Sequence, residues 1–172
     1  MRKRYSQLHE NVIVHHLHIL LMTTLTPKGY RKRLIDSTVE QYLRAFGAVS
    51  ICGPKYCGKT WTSRNHAESE TCLQATETRK QLNIYQIEPN LALSGAEPHL
   101  IDEWQDIPAI WDAVRTEVDG NPGKGKYILC ESSTPPKEGR KHTDVGRIGD
   151  IDMRTMSLFE SGDSDGSVSL SK

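Results

Sequence analysis

Eight consecutive residues, Gly53, Pro54, Lys55, Tyr56, Cys57, Gly58, Lys59 and Thr60, carry the strongest chemical signal in the chain. Two glycines separated by four residues and followed by lysine and a hydroxyl residue make a phosphate-binding loop, or P-loop. Glycines without a Cβ let backbone N–H groups turn inwards and approach an anion closely. A helix starting at about Lys59 would aim its positive dipole end at the same anion. In such a loop Lys59 reaches the β- and γ-phosphates and the Thr60 hydroxyl coordinates Mg²⁺. Trp61 follows directly and joins the nucleotide-contacting set. The ligands implied are a nucleoside triphosphate, ATP in the first instance, and Mg²⁺.

A second cluster is Leu100-Ile101-Asp102-Glu103. Two apolar residues running into two acids read as a short strand whose aspartate holds Mg²⁺. Glu103 then polarises an attacking water as general base. The plainer reading is an acidic cap on the helix that follows. Trp104 and Trp111 are candidates for base stacking, but Trp111 shares a helical stripe with Ile110, Val114 and Val118, which favours core packing. Ser132, at the end of the run Ile128 to Thr134, either touches the γ-phosphate or water, or belongs to a hydroxyl-rich turn. Arg147 lies just before the last apolar run, and Arg154 lies within or just after it. Each is either a surface arginine or a cation offered to a neighbouring subunit's nucleotide.

These residues need a scaffold, and the chain supplies alternating elements. Asp36 or Ser37 can cap a helix running to about Phe46, ended by Gly47. Ala48 to Cys52 reads as a strand buried on both faces that feeds into the loop. Thr71 to Leu73 is a weak strand, Glu77 to Ile87 a helix closed by Pro89, and Pro108 suits the first turn of another helix. Tyr127 to Cys130 and Ile151 to Leu158 are further strands. Strands alternating with helices predict an α/β fold, a three-layer P-loop core on a mostly parallel sheet. From Glu160 the Ser/Gly/Asp-rich composition reads as a disordered tail. The domain expectation is therefore a leader at 1–26, a core at 27–159 and a tail at 160–172.

Bulk properties narrow the functional classes. The 172 residues suit one α/β domain, and a formal net charge of zero gives no global pull towards nucleic acid or anionic lipid. A local basic cluster (Arg2, Lys3, Arg4, Lys28, Arg31, Lys32, Arg33) reads as a solvated leader. His15, His16 and His18 interrupt the N-terminal apolar run, which is too short and polar to span a bilayer. Cys52, Cys57, Cys72 and Cys130 form no CxxC pair and no zinc spacing. They predict a reducing cytoplasm without a disulfide framework.

With these pieces placed, the chain resembles the AAA-type P-loop ATPases of bacteria and archaea whose ATPase core is normally followed by a C-terminal domain of unknown function. The likeness lies in Ala45-Phe46-Gly47-Ala48 leading into GPKYCGKT with Thr62. It continues in LIDEWQ at 100–105 with Pro108, IWDAVR at 110–115, SSTP at 132–135, GRI at 146–148 and MRTMSLFESG at 153–162. It covers roughly residues 28–170. The resemblance implies a five-stranded parallel core, Lys59 and Thr60 on phosphate and Mg²⁺, and Asp102 with Glu103 as the Walker B pair. It favours Arg147 as the arginine finger of a homo-oligomer. Members carry threonine and glycine where this chain has Cys130 and Glu131, and a carboxylate near a γ-phosphate would repel it. The family continues into a lid and a further domain, so the chain reads as a truncated core with a misassigned start.

Three functions follow as expectations. The first is an ATP-binding core with Mg²⁺-dependent hydrolysis that is weak or absent. The second is a non-catalytic nucleotide-binding module or gene remnant, favoured by Glu131. The third is a small P-loop kinase, disfavoured because Pro135 to Lys141 is too short and lacks the apolar period of an arginine-bearing lid. Partners are expected to be nucleotide and further copies of the chain, not membrane. Nucleic acid is the least supported, since the basic stretch carries few aromatics.

Overall fold

A computed structural model describes residues 25–74, 81–131 and 146–167. Five parallel strands form one sheet in the order β2-β3-β4-β1-β5. They are β1 (Ala48–Cys52), β2 (Ser69–Cys72), β3 (His99–Asp102), β4 (Tyr127–Cys130) and β5 (Ile148–Asp152). The helices are α1 (Asp36–Ala45), α2 (Lys59–Asn65), α3 (Leu82–Ile87), α4 (Ala109–Gly120) and α5 (Leu158–Ser161), with 3₁₀ turns at Pro89–Leu93 and Trp104–Asp106. This is the α/β architecture of a P-loop core, as the alternation of elements predicts.

Side chains alternate along each strand, so neighbouring residues enter opposite layers. Ala48, Ile101 and Leu129 face a layer with Ile110, Trp111, Val114 and Val118 of α4. Val49, Leu100 and Ile128 face the other layer, with Val39 of α1 and Cys57 of the loop. Both faces being covered explains why β3 and β4 are buried along their whole length. Trp104 and Trp111 pack with ring centroids 4.9 Å apart and are buried, so both serve the core.

Three local expectations shift. The last strand is Ile148–Asp152, not a run from Ile151 to Leu158. Its place is set by register with β1, Ala48 opposite Ile148 through Cys52 opposite Asp152, which outweighs local apolar composition. Helix α1 has no side-chain cap. Asp36 instead accepts from the Tyr30 hydroxyl at 2.6 Å and the Arg33 N–H at 2.8 Å, and lies 3.1 Å from His66 Nε2. Finally, Arg33 is buried, at 6 % exposure, and is no part of a solvated basic stretch. Ser132, the SSTP and Pro135 to Lys141 stretches, the histidines at 15, 16 and 18, and the start of the Glu77 helix lie outside the described residues.

Candidate nucleotide site

Strand β1 ends at Cys52, the loop runs from Gly53 to Gly58, and α2 begins at Lys59. Gly58 sits at φ +98°, a conformation in which a side chain would be strained. At Gly53 a Cβ would fall 2.1 Å from the Met153 carbonyl oxygen, so no other residue fits without displacing the chain after β5. Tyr56 also takes a left-handed conformation, φ 65°, and projects into solvent at 94 % exposure. The Lys59 ammonium is buried within the loop's curve, donating to the carbonyls of Gly53 (2.9 Å) and Pro54 (2.8 Å).

Thr60 starts the first turn of α2, and its hydroxyl donates to Asp102 Oδ1 at 3.4 Å. Asp102 ends β3, lying opposite Cys130 on β4 and opposite Cys72 on β2. Burial raises its carboxyl above the ordinary carboxylate range, opposed by hydrogen bonds from the Cys130 thiol and Thr60. Burial likewise pushes the Cys130 thiol well up. Asp102, Cys72 and Glu70 place one potential ligand atom each within 4.8 Å of one another. Glu70 is bound there by Arg64 through two bonds, 2.8 and 2.7 Å.

Glu103 is one of two described non-glycine residues with positive φ, at φ 60°, ψ 40°. That twist turns the chain out of β3, and its N–H donates to the Cys130 carbonyl at 2.9 Å. Its carboxylate accepts from the Gln105 amide. Because β4 separates β1 from β3, the ends of these two strands stand two strand spacings apart, about 10 Å, and the start of α2 reaches across to bring Thr60 to Asp102. A cleft of about 510 Å³ spans this gap, lined by Lys55, Lys59, Thr60, Trp61, Arg64 and Glu103. A second cavity of about 340 Å³ lies on the other side of Tyr56 and Trp61, walled by Tyr30, Arg31, Thr62 and Met156. The donor set suits a hydrated hard cation, since Thr60 and Asp102 offer oxygen.

A family model described as an AAA domain matches residues 45–161. The chain belongs to the AAA domain family. AAA domains bind nucleotides, and membership gives this chain an ATPase-like, nucleotide-binding character. Comparison with curated proteins finds no match. No helix among the described residues is long and apolar enough to cross a membrane.

The remaining singled-out residues divide. Arg147 lies just before β5 and pairs with Asp119 of α4, both side chains partly exposed. Arg154 lies beyond β5 and is exposed, with Asp152 at 3.4 Å. Glu131 is fully buried one residue past β4, with its N–H 3.4 Å from the Ile51 carbonyl. Sequence reasoning missed Tyr30, Arg33 and Glu160. The Ser157-x-x-Glu160 spacing of a capping box could have signalled Glu160, whereas the acceptors of Arg33 at 57, 154 and 160 are too distant in sequence to be read locally.

Proposed function

We propose that this AAA domain binds MgATP in the paired cavities around the P-loop and hydrolyses it slowly. The observation that carries the reading is the Thr60–Asp102 hydrogen bond, with Lys59 and Glu103 at the same cleft. It ties a loop hydroxyl to a strand-end carboxylate, the pair needed to hold a magnesium ion directly or through water. In this reading Gly53 to Trp61 contact the phosphates, and Mg²⁺ supplies charge neutralisation on them. Glu103 orients and deprotonates water. The base enters the cavity walled by Tyr30 and Met156.

Arg147 is the cation for a neighbouring subunit's nucleotide, which requires its pair with Asp119 to open. Ser132 joins the water-orienting group. Slow turnover is expected from Glu131, a fully buried acid one residue past β4, the strand between β1 and β3, because a carboxylate near a γ-phosphate opposes added negative charge.

Equilibrium titration with MgATP, beside Lys59→Ala, tests this. Saturable wild-type binding weakened about 100-fold in the variant is the expected result. Equal binding by both proteins would show that nucleotide binds elsewhere.

The buried Glu131 favours a second reading, a nucleotide-binding module without turnover. Binding lost in Lys59→Ala together with turnover unaffected by Glu103→Gln would select it.

A further inference from the structure

Outside the residues of the P-loop, Arg33 is a buried charged group whose guanidinium is engaged at all three of its nitrogens. Its Nε donates to Glu160 Oε1 at 2.9 Å, its Nη1 to the Cys57 carbonyl at 2.9 Å, and its Nη2 to the Arg154 carbonyl at 3.0 Å. The paired side chains are 5 % and 7 % exposed. Burying a guanidinium is costly unless its planar fork finds matching acceptors, and here one carboxylate and two carbonyls supply them.

Glu160 is fixed in turn. One carboxylate oxygen also accepts the Leu34 N–H at 2.9 Å, and the other accepts the Ser157 N–H at 2.7 Å and hydroxyl at 2.8 Å. Arg31 adds a bond to the Ser161 carbonyl at 2.8 Å. The segment before α1 and the segment after β5 are thus clasped together against the outer side of the P-loop.

The contact with Cys57 has a directional consequence. In a trans peptide unit the C=O and N–H point to opposite sides. Holding the Cys57 carbonyl outwards therefore aims the Gly58 N–H the other way. Gly58 cooperates, since a Cβ there would lie 3.1 Å from Arg33 Nη1.

We infer that Arg33 is a positioning residue for the phosphate loop, orienting the Cys57–Gly58 peptide, and that Glu160 holds Arg33 in place. The inference rests on the nucleotide reading for its effect on affinity, but not for its effect on the loop. A mere structural tie would lower the number of folded molecules. A positioning role lowers affinity at an unchanged number of sites and loosens the loop amides.

The experiment compares wild type with Arg33→Ala, Arg33→Lys and Glu160→Gln. MgATP titration gives site number and Kd. Hydrogen exchange on the nucleotide-free proteins follows peptides covering 53–60, with β1 and β4 as internal references. The expected result is a Kd at least about tenfold weaker in Arg33→Ala at near-normal site number. Arg33→Lys recovers only part of it, because an ammonium cannot fork. Exchange in 53–60 rises in Glu160→Gln while the reference strands are unchanged. Should Arg33→Ala fail to fold, the near-isosteric Glu160→Gln decides through both readouts. Wild-type Kd and wild-type loop exchange in folded variants would overturn the inference, as would a fall in site number at constant Kd. If wild type itself binds no MgATP, the nucleotide reading fails, and loop exchange in Glu160→Gln still decides whether the clasp positions the loop.

Discussion

Thr60 and Asp102, 42 residues apart in sequence, meet through one hydrogen bond of 3.4 Å beside the P-loop. If they share a magnesium ion, Thr60→Ala and Asp102→Asn remove only the metal-dependent part of affinity. MgATP should then bind no better than ATP in EDTA, a loss of about tenfold from wild type. Titrations with and without EDTA measure the difference. A full metal effect surviving in both variants would place the ion elsewhere.

Glu103→Gln should separate binding from chemistry. Removing a general base costs about 10²- to 10⁴-fold in rate, while nucleotide affinity stays within about threefold. Phosphate release under single-turnover conditions is the measurement. Glutamine is the right replacement because it leaves the left-handed backbone at φ 60° undisturbed. A β-branched residue there would add strain of about 1–3 kcal/mol and confuse the reading.

Glu160 should make stability depend on acid. Burial pushes its carboxyl up, but bonds from the Ser157 and Leu34 N–H groups, Arg33 and the Ser157 hydroxyl outweigh this and bring it to about 2, against an ordinary 4.5. A depressed folded-state value contributes stability that is complete above the ordinary value and fades as pH falls towards the folded one. The stability gap between wild type and Glu160→Gln should therefore be full at pH 5 and shrink between about 4.5 and 2. Urea unfolding across that range tests it. A gap constant in pH would mean that the carboxylate charge is not what the clasp uses.

Core and surface changes should differ sharply in size. Ile101→Ala opens a cavity at a fully buried β3 position and should cost about 2–5 kcal/mol. Asp119→Ala breaks a partly exposed pair with Arg147 and should cost under about 1 kcal/mol. Denaturant midpoints check both. A large cost for Asp119→Ala would give that pair a structural role and weaken Arg147 as a cation for a neighbour.

Local patterns made much of this legible. The P-loop spacing, the strand ending in Asp102 and the α4 stripe of Ile110, Trp111, Val114 and Val118 are short-range signals, and each element forms where the sequence places it. Arg33 was illegible for the opposite reason. Its neighbours Arg31 and Lys32 make it look like one more solvated cation, whereas its acceptors come from residues 57, 154 and 160. The last strand was misplaced because pairing to β1, not its own composition, fixes where it starts.

Arg33 and Glu160 are 127 positions apart, which also bears on how the molecule comes into being. Contacts of such long separation require a large loop to close before they give anything back. During synthesis, at about 5–20 residues per second, the loop at 53–60 leaves the ribosome many seconds before Glu160 does. Until then the Arg33 guanidinium lacks its carboxylate partner. The P-loop is thus made early in the chain, while the carboxylate that completes the clasp on its outer side arrives only with residue 160.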